Sequence, residues 1–327
     1  MGDVVGFVLC AGLGTRLRPL TNRVPKPAVP VCGVPLVRWS LALLAGAGVR
    51  RAVVNVHHLP DAMAAAAQGG ARALGMSLAV SREPVIAGTG GALREARARL
   101  AGADAIFLVN GDVLFDVDLP GALAAHRASG ALATMLLLPM PGGAPYAAVE
   151  TDASGAVRRI AARFGPGGEG LAPWHFSGVH VLSPELVDRV PATPFEADVN
   201  RHVYPPLMAS GAVRGLVVEG YWNDLGTPAR YLEASADVLS GKLPLGRFRG
   251  VDPFAGTKEL APAARAATSA RIDAAARVEP PAFIGERCSV PAGALVRDAI
   301  LWDDTLLAPG EAVEHAIAAG AERVPAG

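Results

Sequence analysis

The chain has 327 residues, long for one domain and suited to a large domain joined to a small one. Hydrophobic residues make up 51%, enough for a sizeable core, and 30 Lys and Arg balance 30 Asp and Glu. A chain without net charge presents no basic field to draw in nucleic acid or an anionic bilayer surface, so neither is expected as a partner.

Short β-rich runs alternate with Ala/Leu-rich runs from the start. Val4–Leu9 reads as a strand. It is preceded by no basic segment or cleavage site, and no apolar run reaches bilayer length, so a cytoplasmic location is the expectation. Helical spacing follows at 36–47, 62–74, 90–100 and 119–129, and strands at 52–56, 77–80, 105–109 and 132–138. This alternation predicts an α/β fold, a Rossmann-like, mostly parallel sheet with helices on both faces. Ligands in such sheets bind beyond the carboxyl ends of strands, which singles out the loops after Leu9, Val80 and Val109.

A further helix at 231–239 precedes a Gly/Pro-rich stretch, 241–262, that reads as a linker. Beyond it Ile272, Val278, Ile284, Val290 and Val296 recur every sixth position, with small residues, Gly and Pro between them. That period predicts a short left-handed parallel β-helix, each aliphatic residue filling one corner of a coil. The expected organisation is therefore a catalytic domain over 1–240, a linker over 241–262 and a hexapeptide-repeat tail over 263–327. The bland role for the tail is a structural cap or a homo-oligomer contact. An acyltransferase role finds only His315 as a tail histidine, outside the regular repeat. Cys10, Cys32 and Cys288 fit neither a disulfide framework nor a zinc site and read as reduced core residues.

The first loop, Leu9-Cys10-Ala11-Gly12-Leu13-Gly14-Thr15-Arg16, followed by Pro25-Lys26-Pro27, leaves a buried strand directly. Backbone amides of a Gly-rich turn can converge on a phosphate, and Arg16 and Lys26 add charge. A dinucleotide fingerprint needs glycine where Leu17 stands and an acidic residue after the second strand, which ends Asn55-Val56-His57. A Walker A loop needs Gly-Lys-Ser/Thr, which Thr15-Arg16 does not supply. The adjacent His57 and His58 point to opposite faces of a strand and chelate poorly, so they read as loop residues.

Gly12-x-Gly14-Thr15-Arg16-x-x-Pro19-Leu20-Thr21 with Pro25-Lys26-Pro27 resembles the signature of the sugar-1-phosphate nucleotidyltransferases. That family includes mannose-1-phosphate guanylyltransferases and N-acetylmuramate-1-phosphate uridylyltransferases, and the similarity extends to about Ser240. The resemblance implies catalytic roles for Arg16 and Lys26. It implies nucleotide contacts from Leu9, Ala11, Gly12, Gly14 and Thr15, and from Glu83, Gly88 and Thr89 in a second Gly-rich loop. It implies sugar contacts from Asn110, Gly111, Tyr146, Ser177 and Gly178, and a Mg²⁺ held by Asp112 and by Asp224 of Trp222-Asn223-Asp224-Leu225-Gly226-Thr227.

Two features depart from the pattern. The Phe-x-Glu-Lys-Pro segment common in the family is replaced here by Ala162-Arg163-Phe164-Gly165-Pro166, so a substitute phosphate ligand is sought in Arg163 or Arg158. The Gly usual after Tyr146 is Ala147. The expected substrates are GTP and mannose 1-phosphate or a related sugar. UTP with N-acetylmuramate or another sugar 1-phosphate is the alternative, and an inactive nucleotide-sugar-binding regulatory subunit is the rival of another class.

Overall fold

The computed structural model describes residues 2–142 and 146–327. The N-terminal part opens with β1 (Val4–Leu9), a small hairpin of β2 (Pro30–Val31) and β3 (Val34–Pro35), and α1 (Leu36–Gly46). It continues through β4 (Arg51–Val56), α2 (Pro60–Ala73), β5 (Ser77–Arg82), α3 (Gly88–Glu95), α4 (Arg97–Leu100), β6 (Ala105–Asn110), β7 (Leu114–Asp116) and α5 (Leu119–Ser129). There follow β8 (Ala133–Leu138), β9 (Ala148–Thr151), β10 (Val157–Ile160), β11 (Ala172–Leu182), α6 (Tyr204–Met208), β12 (Val213–Val217), β13 (Tyr221–Asn223) and α7 (Pro228–Leu239).

The main sheet runs β10-β9-β11-β6-β1-β4-β5, with β8 joining β11 to β12. β6, β1, β4 and β5 are parallel, as are β8 and β12. Side chains alternate through these strands. Val4 and Val8 of β1 enter one core with Ala52, Val54 and Val56, while Val5 and Phe7 enter the other with Val53. Both faces are therefore covered, which is why the strands read as continuous apolar runs.

The sheet is mixed, where alternation alone predicts it mostly parallel. β11 runs antiparallel to β6, β8 and β9. A register shift between Phe176 and His180 brackets Ser177-Gly178, and Gly178 has φ 90°. This bulge bends one long strand so that its first half pairs with β9 and its second half with β6.

Helix ends follow local chemistry. Asp118 caps α5 by accepting from the Gly121 amide at 3.1 Å, and Gly130 ends it in the left-handed region. Thr227 caps α7 by accepting from the Arg230 amide at 3.3 Å, with Pro228 in the first turn. No helix among the described residues is long and apolar enough to cross a membrane. Cys10, Cys32 and Cys288 are buried and free.

The 241–262 stretch lies against the N-terminal part. Phe248 meets Trp39 edge to face at 5.1 Å, and Arg247 pairs with buried Asp116 at 3.0 Å. The stretch ends in β14 (Thr257–Ala261), which begins a sheet with β15 (Ala264–Ala267), β17 (Arg277–Ile284), β19 (Leu295–Leu301), β20 (Ala312–Ala319) and β21 (Glu322–Pro325). β16 (Arg271–Ile272) and β18 (Ser289–Val290) form a second parallel pair between them. Arg277 faces Leu295 and Leu295 faces Ala312, so the parallel strands return after 18 and 17 residues. Ile284, Val290 and Val296 fill a separate core with small alanines, and Ile272 and Val278 pack at its edge.

Two buried histidines make stability pH-dependent. His126 bonds Thr134 and Ser183, and burial, helped by Arg127, pulls its pKa from 6.5 to about 4. Burial takes His180, bonded to the Tyr204 hydroxyl, to about 3. Both are neutral when folded and protonate near the ordinary value when unfolded. Their contribution is complete above about pH 6.5 and is lost as pH falls through about 4 for His126 and about 3 for His180. Melting temperature is expected to decline over that window, with a shallower decline in His126→Gln. Coincident pH profiles for the two proteins would contradict the assignment of His126.

Candidate active site

The carboxyl ends of β1, β4, β5 and β6 open onto a cavity of about 240 Å³ lined by Leu9, Ala11, Gly12, Gly14, Lys26, Glu83, Gly88, Thr89, Asn110 and Asp112. The sequence reading names all ten. Three further lining residues, Pro27, Asn55 and Ile86, carry no site role in that reading.

Asn55 joins the two Gly-rich loops. Its side-chain oxygen accepts from the Cys10 amide at 2.7 Å, and its nitrogen donates to Glu83 Oε1 at 2.8 Å. The other Glu83 oxygen accepts from the Ala87 amide at 3.0 Å, so this buried carboxylate folds the second loop as well as facing the cavity. His57 and His58 bond the backbone carbonyls of Glu83 and Thr21 at 2.8 and 2.7 Å, as loop residues do. Gly88 has φ 73°, and a Cβ there would lie 2.6 Å from the Ala197 carbonyl oxygen. That oxygen accepts from the Gly90 and Gly91 amides. Thr89 donates to Asp198 at 3.0 Å, locking the start of α3 to the 198–199 turn.

The charged centre assembles from distant segments. The Lys26 side chain comes from a tight turn held by the Ala28 and Val29 amides. Lys26 is 5% exposed, and its ammonium donates to Asp112 Oδ2 at 2.9 Å and to the Asp224 backbone carbonyl at 2.7 Å. Asp112 follows β6, and Asp224 follows β13, which pairs with β7. The Asp224 carboxylate accepts from the Tyr146 hydroxyl at 3.2 Å and the Gly226 amide at 3.1 Å, and pairs with Arg230 at 2.6 Å. A Cβ on Gly226 would lie 2.8 Å from Arg16 Nη1 and 2.9 Å from Asp224 Oδ2, so the exposed Arg16 guanidinium shares this centre. Thr15 lies in the exposed turn beside it.

Burial first, then the Asp224 charge, raises the Tyr146 pKa, which keeps it a phenol that donates to Asp224. Burial, then Asp112, raises the Cys10 thiol, so no thiolate nucleophile sits here. Among the described residues no group of three or more His, Cys, Asp or Glu forms a ready-made metal cage.

The sugar-side residues lie alongside. Asn110 lines the cavity, and a Cβ on Gly178 would touch its side chain at 3.2 Å. Gly111 packs on Cys10, where a Cβ would approach the sulfur to 2.7 Å. Ser177 is buried, and its carbonyl accepts from the Trp222 indole at 2.9 Å. Arg158 is committed to Asp152 at 2.6 Å, and Arg163 lies over the Phe164 ring, so neither lines the cavity. Besides Arg16, the structure brings the Arg230 guanidinium to the centre, its carbon 5.8 Å from the Tyr146 ring centre and 5.5 Å from that of Trp222. Its position depends on the capped start of α7, which residue spacing alone does not reveal.

A profile of the nucleotidyl transferase family matches residues 5–241. A mannose-1-phosphate guanylyltransferase of Mycobacterium tuberculosis is 33% identical over 76% of this chain and 68% of its own length. A UTP–glucose-1-phosphate uridylyltransferase of Synechocystis is 28% identical over 93% of this chain and 84% of its own. A mannose-1-phosphate guanyltransferase of Eremothecium gossypii is 29% identical over 80% and 72%.

Proposed function

The chain belongs to the nucleotidyl transferase family, and from that premise we propose that it joins GTP to mannose 1-phosphate or a related sugar 1-phosphate, releasing pyrophosphate. The observation that carries the reading is the Lys26 ammonium, which ties Asp112 to Asp224 at the mouth of a Gly-loop cavity. Three segments remote in sequence converge there, one supplying a cation suited to a phosphate and two supplying carboxylates suited to a metal ion.

In the proposed reaction an oxygen of the sugar 1-phosphate attacks the α-phosphorus in line with the leaving group. The bond from that phosphorus to the β-phosphate bridge breaks, and the electron pair leaves with pyrophosphate. A phosphate monoester is already ionised near neutral pH, so no general base is needed. The amides of Gly12 and Gly14 cradle the triphosphate, and the ordered second loop receives the base. Arg16 offsets charge on the transferring group, and Lys26 holds a phosphate in register. Lys26 bridges the Asp112 carboxylate and the Asp224 backbone carbonyl, and the Asp224 carboxylate stands beside them; the two carboxylates are hard oxygen donors of the kind Mg²⁺ takes, with substrate phosphates and water to complete its shell. Held there, Mg²⁺ would neutralise phosphate charge.

Residues 1–240 carry the chemistry. The 263–327 tail is a left-handed coil, by its six-residue repeat and its 17- or 18-residue returns, and offers a surface for self-association.

Pyrophosphate release, measured with Mg²⁺ across five nucleoside triphosphates and a panel of sugar 1-phosphates, tests the reaction. Turnover is expected to be highest with GTP and mannose 1-phosphate. No release from any pair, with a nucleotide sugar still bound, would replace the enzyme by a regulatory subunit. UTP is the second reading, favoured by the uridylyltransferase relative that aligns over 93% of this chain.

A further inference from the structure

The Arg230 guanidinium lies on the Asp224 carboxylate, with Nε 2.6 Å from Oδ1. It is the one ion pair that Asp224 makes among the described residues, and the Asp224 side chain is only 13% exposed. Taking the proposed nucleotidyl transfer as its basis, we propose that Arg230 is an exchangeable counter-ion. It neutralises Asp224 in the resting site. An incoming phosphate monoester takes the guanidinium and leaves the carboxylate to Mg²⁺, so phosphate binding and metal binding are coupled through one side chain.

The pair is close but poorly bonded. At 2.6 Å the Nε–H is misdirected, and Nε is buried without an aligned acceptor among the described residues. An Arg–carboxylate pair is strongest when two N–H groups lie parallel to two oxygens. Asp224 does not offer that face freely, since Oδ1 also accepts from the Gly226 amide at 3.1 Å and Oδ2 from the Tyr146 hydroxyl at 3.2 Å. Native structures retain an unmet buried donor where a partner absent from the resting state completes it. A phosphate monoester presents several oxygens to the guanidinium fork and fits it better than this crowded carboxylate does.

Placement decides which phosphate draws it off. Arg16 and Lys26 belong to the first-loop segment, and Lys26 lines the Gly-loop cavity that takes the triphosphate in the proposed reaction. Lys26 is also 5% exposed and held by Asp112 and the Asp224 carbonyl, so it is not free to travel. Arg230 comes from the start of α7 and does not line that cavity. It is the cation left for the second phosphorylated substrate. The Tyr146 and Trp222 rings hold the guanidinium by an attraction that survives a change of anion, and the side chain is 31% exposed, so its end is open to solvent.

Charge sets the sign of the coupling. A divalent cation and a guanidinium on the same carboxylate repel each other, so Arg230 opposes metal binding in the resting site. A phosphate that engages Arg230 removes that opposition and strengthens the metal. By linkage the metal strengthens the phosphate by the same factor. A phosphate that acted only as a direct metal ligand would produce coupling of the same sign without any need of Arg230, so the side chain itself has to be varied.

Mn²⁺ titrated into the full chain, with the free ion counted by its electron spin resonance signal, reads the coupling without turnover. Mannose 1-phosphate is expected to tighten Mn²⁺ binding by wild type about tenfold, inside the range usual for coupled sites, and methyl phosphate, which carries no sugar, should act in the same direction. Arg230→Met keeps an apolar stem against the two rings and removes the charge. It should bind Mn²⁺ more tightly than wild type when no phosphate is present, and mannose 1-phosphate should then change its affinity by less than about twofold. Arg230→Lys, which restores a cation, should recover part of the coupling. An undiminished effect of mannose 1-phosphate in Arg230→Met, weaker metal binding by that variant alone while Arg230→Lys matches wild type, or no effect of either phosphate on wild type overturns the inference. Coupling that depends on Arg230 in a chain that releases no pyrophosphate would remove the proposed reaction and keep the exchange.

Discussion

Lys26→Met is expected to lower kcat/KM by about three orders of magnitude, the upper range for deleting one preorganised charge stabiliser. The ammonium is 5% exposed and makes two short contacts, to Asp112 at 2.9 Å and to the Asp224 carbonyl at 2.7 Å. Methionine fills similar space without the charge. The loss therefore falls on phosphate positioning and on the approach of the two acidic residues, which no other side chain spans among the described residues. The cost in stability should be much smaller than the roughly 3–5 kcal/mol of a broken buried pair, because the Asp112 side chain is 44% exposed and can hydrate. Steady-state kinetics with a denaturant melt separate the two effects. A variant within tenfold of wild type would remove Lys26 from the chemistry.

Asp224→Asn is expected to lower kcat by about two to three orders of magnitude and to raise the magnesium concentration needed for half-maximal rate. The substitution keeps the shape, and an amide oxygen can still accept from the Gly226 amide or the Tyr146 hydroxyl. What disappears is the negative charge beside Arg230 and Arg16. The folded protein is thus left with an excess of cation where a metal ion is expected to bind. A magnesium titration of pyrophosphate release checks this, and a curve superimposable on wild type would exclude Asp224 as a metal ligand.

Much of the site is legible in the sequence because local rules govern it. Gly12, Gly14 and Arg16 directly follow a buried strand, and Asp112 follows another, so the topology of an α/β sheet brings them to one edge. In the C-terminal part, spacing alone singles out Ile284, Val290 and Val296, which share one buried core. Asn55 is different. Its role depends on the parallel pairing of β1 with β4, which sets it opposite Leu9, and a strand-end Asn gives no sign of that alone. Arg230 is more remote still, since it comes from a helix start far along the chain. Glu83 is legible as a loop residue, but its two bonds to Asn55 and the Ala87 amide require the fold.

The residue after Arg230 ties this chemistry to the tail. Tyr231 is fully buried, its hydroxyl accepts from the Trp302 indole at 2.8 Å and donates to the Pro30 carbonyl, and Phe283, Ile300 and Ile317 of the tail share its core. One phenol thus pins the first turn of α7 to the C-terminal sheet on one side and to the segment carrying Lys26 on the other. That sheet cannot be cut away as a passenger. Its removal would uncover the apolar flank of α7 and release the anchor that sets the height of Arg230, so the damage would appear in turnover as well as in solubility.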